Sequence, residues 1–463
     1  MAETRRLLVV TDIFPPVAAV GTQRIVGLCR HAADAGWQVS VVTLRPRSDT
    51  TIDETLLARI PEGVRVVRTW APDLPAMAAR LLGRGSEQSR GAGETTKASV
   101  SQGKAAPEQA VRTPQAAPVR PGAVKRLMQW MSWWMYVPDS RSAWLPWGAW
   151  AAMRTGRPDA VFSSAPMWTS HLVAAAVAKL RRVPWVADFR DPWCGSTWRE
   201  LPAGLHSSVD RFLERRVVAG ATRITCAWDG IRGLLAERYP RRADHVSTIL
   251  NGFEPEEIDP VETERVDAGR CVLIHAGTLY GPRSPMSLLA GLRQLRQERP
   301  AEAARLLVVL LGGGTWNGQS VSALAEQHGV GDLLRVMPST AHRQAVAMLK
   351  GADAAILFGQ CGHEGLAPVP AKVYEYVGAG KAVLSIGSGA EAEDILRRGG
   401  CTVWPAADSG PSCAAALGEM AARHAEGNRV WPSASSQREL FTRRAMAARL
   451  MSVIEEALCA GRG

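Results

Sequence analysis

The sequence predicts an α/β chain built as two domains, each a parallel sheet wound with helices, facing one another across a cleft. Three observations carry that expectation. The chain has 463 residues, too many for one ordinary core. Short β-branched runs alternate with amphipathic stretches, the signature of βαβ units and a parallel sheet. The alternation halts at Asn251-Gly-Phe-Glu254 and then begins again, which puts the boundary near residue 252.

In the first domain, expected over 1–252, Leu7–Thr11 reads as a strand that breaks at Asp12-Ile-Phe-Pro-Pro16. An amphipathic stretch over 23–35 is stopped by Gly36, and the run 38–44 supplies the next strand, completing one βαβ unit. The run 64–69 is a third strand. Residues 84–120 are largely Gly, Ser, Thr, Gln, Ala and Pro. With so few large apolar side chains they cannot repay their ordering entropy, and a disordered insertion is expected. Strands then follow over 159–163, 184–188 and 222–227, with a helix over 170–180 between the first two. The second domain, expected over 253–436, opens with a strand at 271–276 and a helix at 286–297. A strand at 305–311 ends in Gly312-Gly-Gly, and further strands are expected at 354–358 and 382–386. A final helix, within 437–463, has no strand after it.

Composition narrows the function classes. The formal charge of +11 calls for an anionic partner, such as nucleotide phosphates, nucleic acid or an anionic membrane. Nucleic acid is the weakest of these, because the charge is not gathered into one ordered module. The eight cysteines are scattered, without Cys-x-x-Cys, which suits buried thiols in a reducing compartment better than a disulfide framework or a zinc site. The start of the chain is polar before a strand-length apolar run, and no stretch is long and uncharged enough to span a bilayer. A cytoplasmic protein is expected. No Gly-x-Gly-x-x-Gly follows the first strand, which speaks against a dehydrogenase.

Three segments carry chemistry. Near the C-terminus, Glu364-Gly365-Leu366-Ala-Pro-Val-Pro-Ala-Lys372-Val-Tyr-Glu375 runs from a loop into a short helix. Lys372 and Glu375 lie three apart and share a helix face. The helix start and Lys372 attract phosphate, the amides of Gly365 and Leu366 are phosphate contacts, and a carboxylate one turn in accepts bonds from sugar hydroxyls. An ordinary βαβ turn with a solvated Lys–Glu pair fits the same residues. The apolar strand Val183-Pro-Trp-Val-Ala ends in Asp188-Phe-Arg190-Asp191, delivering two carboxylates and a guanidinium to one sheet edge. Internal pairing of Arg190 with either Asp is the bland alternative. After the first strand, Gly21 lets backbone approach a ligand closely at the edge where parallel sheets bind. A fourth stretch, Lys125-Arg-Leu-Met-Gln-Trp130-Met-Ser-Trp133-Trp134-Met-Tyr136, has the look of an interfacial helix on anionic lipid; packing of the same stripe into the domain is the other reading.

In order and spacing these segments resemble the GT-B glycosyltransferases of family 4, over nearly the whole chain apart from 84–120. Asp188-Phe-Arg190-Asp191-Pro-Trp is similar to a segment of their bacterial polysaccharide and lipopolysaccharide members, and Asn251-Gly-Phe-Glu254 to their interdomain turn. The resemblance implies two Rossmann-like domains and a last helix that crosses back to the first. It implies a sugar moved from a nucleotide-diphosphate donor to a glycan or lipid-linked acceptor, with retention and without a metal or a cofactor. Glu375 matches the glutamate that holds the nucleotide ribose. Gly277-Thr278-Leu-Tyr-Gly-Pro-Arg283 matches a loop whose two cations neutralise the diphosphate. Arg283 takes one of these places, whereas Thr278 stands where the family has Arg, leaving Lys372 to supply the second charge. The family's other glutamate falls at 367, which is Ala here, with Glu364 three residues earlier. Val20 precedes Gly21 where the family has two glycines. No His lies in 188–193 to touch the donor sugar, so Asp188, Arg190 or Asp191 takes that role. A related epimerase or hydrolase, or a non-catalytic subunit, are the competing readings.

Overall fold

The computed structural model describes residues 4–47, 50–74, 77, 130, 132–196, 201–202, 204–359, 367–427 and 437–460. The first sheet is wholly parallel: β1 (Arg6–Val10), β2 (Gln38–Leu44), β3 (Arg65–Thr69), β4 (Ala160–Ala165), β5 (Trp185–Phe189), β6 (Arg223–Cys226) and β7 (Val246–Thr248) lie in the order β3-β2-β1-β4-β5-β6-β7. The reversal between β1 and β4 is a switch point, where loops part and a ligand crevice opens beyond the strand ends. The second sheet is formed by β8 (Cys271–Ala276), β9 (Leu306–Leu311), β12 (Leu334–Met337), β13 (Ala354–Phe358), β14 (Ala382–Ile386) and β15 (Val403–Ala406), in the order β12-β9-β8-β13-β14-β15. A hairpin of β10 (Thr315–Trp316) and β11 (Gln319–Ser320) stands apart. The central strands bury every residue, as continuous Val, Ile and Leu runs do when helices cover both faces of a parallel sheet.

Helix α1 (Val20–Asp34) begins three residues before the predicted stretch. Its end is as expected: Gly36 takes φ +80, and the amides of Gly36 and Trp37 bond back to Ala33 and Ala32. The insertion at 84–120 lies outside the described residues, as do Lys125 and Arg126 of the aromatic stripe. Within the stripe, Trp130 and Trp134 close on the imidazole of His206, with ring centroids 5.1 and 4.5 Å away, and His206 Nε2 meets the Trp130 carbonyl at 3.0 Å. His206 is buried, so both rings rest on the domain, while Trp130 keeps an exposed side.

The chain crosses between the domains twice, and the crossings are stitched together. Phe253 donates its amide to Phe441 and accepts from Arg443, while the Arg443 guanidinium lies 3.3 Å from Glu257. The last helix (Arg443–Ala460) then buries Met446, Leu450 and Ile454 against Leu7, Ile25 and Leu28 of the first domain. From the opposite side, Glu391 at the start of a second-domain helix accepts the amides of Asp229 and Gly230.

One ion pair underlies the first domain's wall of the cleft. Arg24 on α1 binds both oxygens of Asp188 at the end of β5, at 3.0 and 2.7 Å, with side chains only 2% and 0% exposed. Its remaining nitrogen donates to the Ile249 carbonyl at 2.8 Å and to Asn251 Oδ1 at 3.1 Å, at the boundary between domains. Ser164 and Thr225 complete the carboxylate's partners at 2.8 and 2.7 Å. Burial alone would raise the Asp188 pKa, but Arg24 and the hydroxyls outweigh it and hold it below its ordinary value of 3.8. A carboxyl with a depressed folded pKa gives stability that is complete above 3.8 and is lost as pH falls through the lower folded value. Arg24→Ala strands that charge, and urea titration at neutral pH is expected to show a loss of about 3–5 kcal/mol. Asp188→Asn should cost less at acidic pH than at neutral pH, which parallel titrations at the two pH values check.

Candidate active site

The cleft holds a cavity of about 280 Å³ lined from both domains. Gln23 and Arg24 face it from α1, and His342, Ala371 and Glu375 from the second domain. Glu375 sits on α8 (Lys372–Gly378), where its carboxylate meets His342 Nε2 at 3.6 Å; His342 opens α7 (His342–Gly351). Burial opposes the Glu375 charge, yet the His342 hydrogen bond and the nearby Lys372 prevail and lower its pKa; the same hydrogen bond raises that of His342. Glu375 is thus ionised and aimed into the cavity.

The cationic corner stands beside it. Gly277 follows β8 with φ +151, and a Cβ there would lie 2.7 Å from Lys372 Nζ. Glycine lets the ammonium settle over the strand end. Arg283 returns from the same loop, its guanidinium carbon 4.8 Å from the centre of the Tyr280 ring and its Nε buried without a partner. Burial, reinforced by the Arg283 charge, lowers the Lys372 pKa. Beneath them His275 is pinned by a 3.0 Å bond from Nδ1 to the Ile356 carbonyl, with Nε2 buried and unpartnered. Burial and then Lys372 depress its pKa to about 3, so at neutral pH it adds no third positive charge. Thr278, where the resemblance called for a cation, is exposed at the rim. Glu364, Gly365 and Leu366 lie outside the described residues. The start of α8 offers less than the sequence suggested: the amides of Val373 and Tyr374 are taken by the carbonyls of Pro370 and Ala371. Positive charge comes from side chains instead.

The first-domain residues divide in a way the sequence did not show. Asp188, expected at the reacting bond, has both oxygens occupied by Arg24, Ser164 and Thr225. Arg190 turns back, donating to the carbonyls of Ala165 and Pro166 at 3.2 and 2.5 Å, and its guanidinium lies where a Cβ on Gly21 would be. Gly21, expected in an open loop, is the second residue of α1 and serves as the platform for Arg190. Asp12, which sequence reasoning passed over, faces the same guanidinium; burial raises its pKa to about 6 against the pull of Arg190. It accepts the Met167 amide at 3.0 Å. Asp191 lies beside Arg190, its pKa raised by burial. A strand-end Asp twelve residues into the chain was the available signal for Asp12.

Known proteins agree with this architecture. Residues 21–252 match the glycosyl transferase 4-like domain model. The chain belongs to that family. A curated relative, the D-inositol 3-phosphate glycosyltransferase of Frankia alni, is 26% identical over 207 residues, 41% of this chain and 49% of the relative. The chain therefore spans about half the length of that relative. Among solved structures, a glycosyltransferase from Rickettsia africae superposes with a TM-score of 0.58 at 11% identity, covering 99% of both chains. Anabaena HepE in complex with UDP does so with a TM-score of 0.57 at 12% identity, covering 98% of this chain and all of the other. The fold is GT-B, with the two parallel sheets facing the cleft.

Gly21 gives a test with an unusual sign. In a helix, Gly→Ala ordinarily stabilises by about 1 kcal/mol. Here the methyl would displace a guanidinium held by two carbonyls, so Gly21→Ala is expected to destabilise by about 1–3 kcal/mol. The further change Arg190→Ala should recover part of that loss, as read by thermal unfolding of the single and double variants.

Proposed function

We propose that this family member transfers a sugar from a nucleotide-diphosphate donor to a hydroxyl of a lipid-linked or glycan-precursor acceptor, with retention of configuration. The observation that carries the reading is Lys372 over Gly277 with Arg283 close enough to act on its charge, and ionised Glu375 one helical turn away. Two buried-side cations beside a neutral histidine hold a charge deficit that a diphosphate relieves. Leaving-group charge grows as the glycosidic bond breaks, so these cations lower the barrier as well as the ground state. Glu375 accepts bonds from the ribose hydroxyls. HepE, alike in fold, has been seen with UDP and with UDP-glucose, which supports this donor class. A pocket of about 100 Å³ between Ser284, Phe358 and Asp408 sits at the same sheet edge and suits the nucleobase.

Arg283 and Lys372 supply charge neutralisation from side chains, so the reaction as proposed needs no metal ion. Front-face attack, with the departing phosphate taking the acceptor proton, needs no protein nucleophile. The N-terminal wall then has the task of placing the acceptor, and Arg190, Asp12 and Asp191 stand there. A lipid-linked acceptor would bring the protein to an anionic membrane surface from the cytoplasmic side.

Calorimetry against UDP, GDP, ADP and dTDP identifies the base, and product analysis with each sugar nucleotide, with and without acceptor, separates transfer from epimerisation or hydrolysis. Glu375→Ala is expected to weaken nucleotide binding by roughly 1–3 kcal/mol, because ribose hydroxyls are left unpaired. Arg283→Ala and Lys372→Ala should each lower kcat more than they weaken donor binding, and their effects should not add, since both answer one charge. Wild-type binding of every nucleoside diphosphate by the folded Glu375 variant would refute the donor site.

A further inference from the structure

A second cavity, of about 330 Å³, lies on the outer edge of the first sheet. Edge strand β3 forms one wall and helix α2 (Leu145–Met153) the other, with Trp144 Nε1 bonded to Thr69 Oγ1 at 2.6 Å to fix the two together. Four arginines line it: Arg45, Arg65, Arg68 and Arg154. Among the described residues no carboxylate lines it, and none of the four forms an ion pair with one of them. Nearby Asp73 is already paired with Arg47. Between the arginines stand Trp70, Trp147 and Trp150, which are 57, 40 and 63% exposed. Three exposed tryptophans in one place are uncommon, since most tryptophan surface is covered in a folded chain. None of these residues belongs to the donor site.

We propose that this groove docks the protein on an anionic lipid bilayer, with the arginines against headgroup phosphates and the indole rings at interfacial depth. The geometry favours a bilayer over a glycan or a nucleic acid. Stacking of a sugar or base requires an open ring face. Trp70 and Trp147 instead meet edge to face, 5.9 Å apart at 88°, and Arg154 covers a face of Trp150 at 4.7 Å. Rings set at angles, with guanidinium groups among them, suit the disordered boundary between headgroups and acyl chains, where an indole keeps one side wet and one side apolar. Charge complementarity supplies the attraction.

The position gives the surface its use, and in this respect the inference deepens the lipid-linked acceptor reading. Trp70 follows the C-terminal end of β3, on the sheet edge that faces the cleft. Arg68 reaches across to donate to the Pro15 carbonyl at 2.6 Å, in the loop that leads into α1. A membrane bound here lies beside the cleft mouth. An acceptor diffusing in the bilayer would enter without leaving it.

Flotation of the full chain with vesicles tests the proposal. Binding is expected to phosphatidylcholine vesicles containing phosphatidylglycerol, to be weak with phosphatidylcholine alone, and to fall as salt rises. Arg65→Glu with Arg154→Glu, and separately Trp70→Ser with Trp150→Ser, should each lower vesicle partitioning at least about tenfold. Both double variants should keep wild-type affinity for the nucleoside diphosphate, which shows that they fold and keeps this test apart from that of the donor site. Protein that stays in the soluble fraction at low salt overturns the proposal. So does flotation that survives both double variants but is abolished by Lys125→Glu with Arg126→Glu, or binding to a soluble anionic polysaccharide that matches binding to vesicles and is lost in the same variants.

Discussion

The cleft depends on a guanidinium that never faces solvent. Arg24 binds Asp188 with two nitrogens and the Ile249–Asn251 turn with the third, so one side chain joins α1, the end of β5 and the point where the chain leaves the first domain. Desolvating such a pair is costly, and an apolar pair of the same volume would hold the core as well or better. What apolar side chains would lack is direction. Two bonds to a carboxylate and three to the turn fix the direction in which the chain leaves the first domain.

The two walls handle charge differently. In the second domain, Lys372 and Arg283 gather near a glycine and a histidine held neutral, with Glu375 as the carboxylate that faces Lys372 among the described residues. In the first, Arg190 is surrounded by Asp12 and Asp191 and anchored by carbonyls, and it is nearly balanced. Positive charge is therefore concentrated on one wall, whereas on the other the guanidinium is offset by two carboxyls, Asp12 and Asp191, which burial pushes upward against the pull of Arg190.

Much of the fold was legible in the sequence because most central strands are short apolar runs bounded by turn residues. In the two large sheets the strands that escaped notice, β7, β12 and β15, are three or four residues long and all border their sheets, and β15 contains Pro405; the two-residue strands β10 and β11 escaped as well. Edges need little apolar sequence, and Pro is tolerated there. The site was half legible. Glu375, Lys372 and Arg283 could be placed because local spacing puts a charge on a helix face or loop. Arg24 could not, since one Arg in an amphipathic helix reads as a solvated surface residue and its partner lies 164 positions away. Asp188 was assigned to chemistry for the converse reason: a strand-end carboxylate is visible in sequence, but the groups that occupy it are not.

The tryptophans make the same point about range. Ten of the sixteen lie between Trp130 and Trp198, and a helical stripe within them suggests a membrane face at 125–136. Local spacing cannot tell which rings find a partner. Trp130 and Trp134 find His206, from a helix some seventy residues away. Trp144, Trp168, Trp185 and Trp193 are all but fully buried in the first domain. Trp130 keeps an exposed side even so, and three more exposed rings gather elsewhere: Trp147 and Trp150, three apart on α2, together with Trp70 from an edge strand far earlier in the chain. Only the sheet brings Trp70 to them, and with it the arginines of β3. The fold thus gathers exposed aromatic rings at one edge with guanidinium groups that have no carboxylate partner among the described residues.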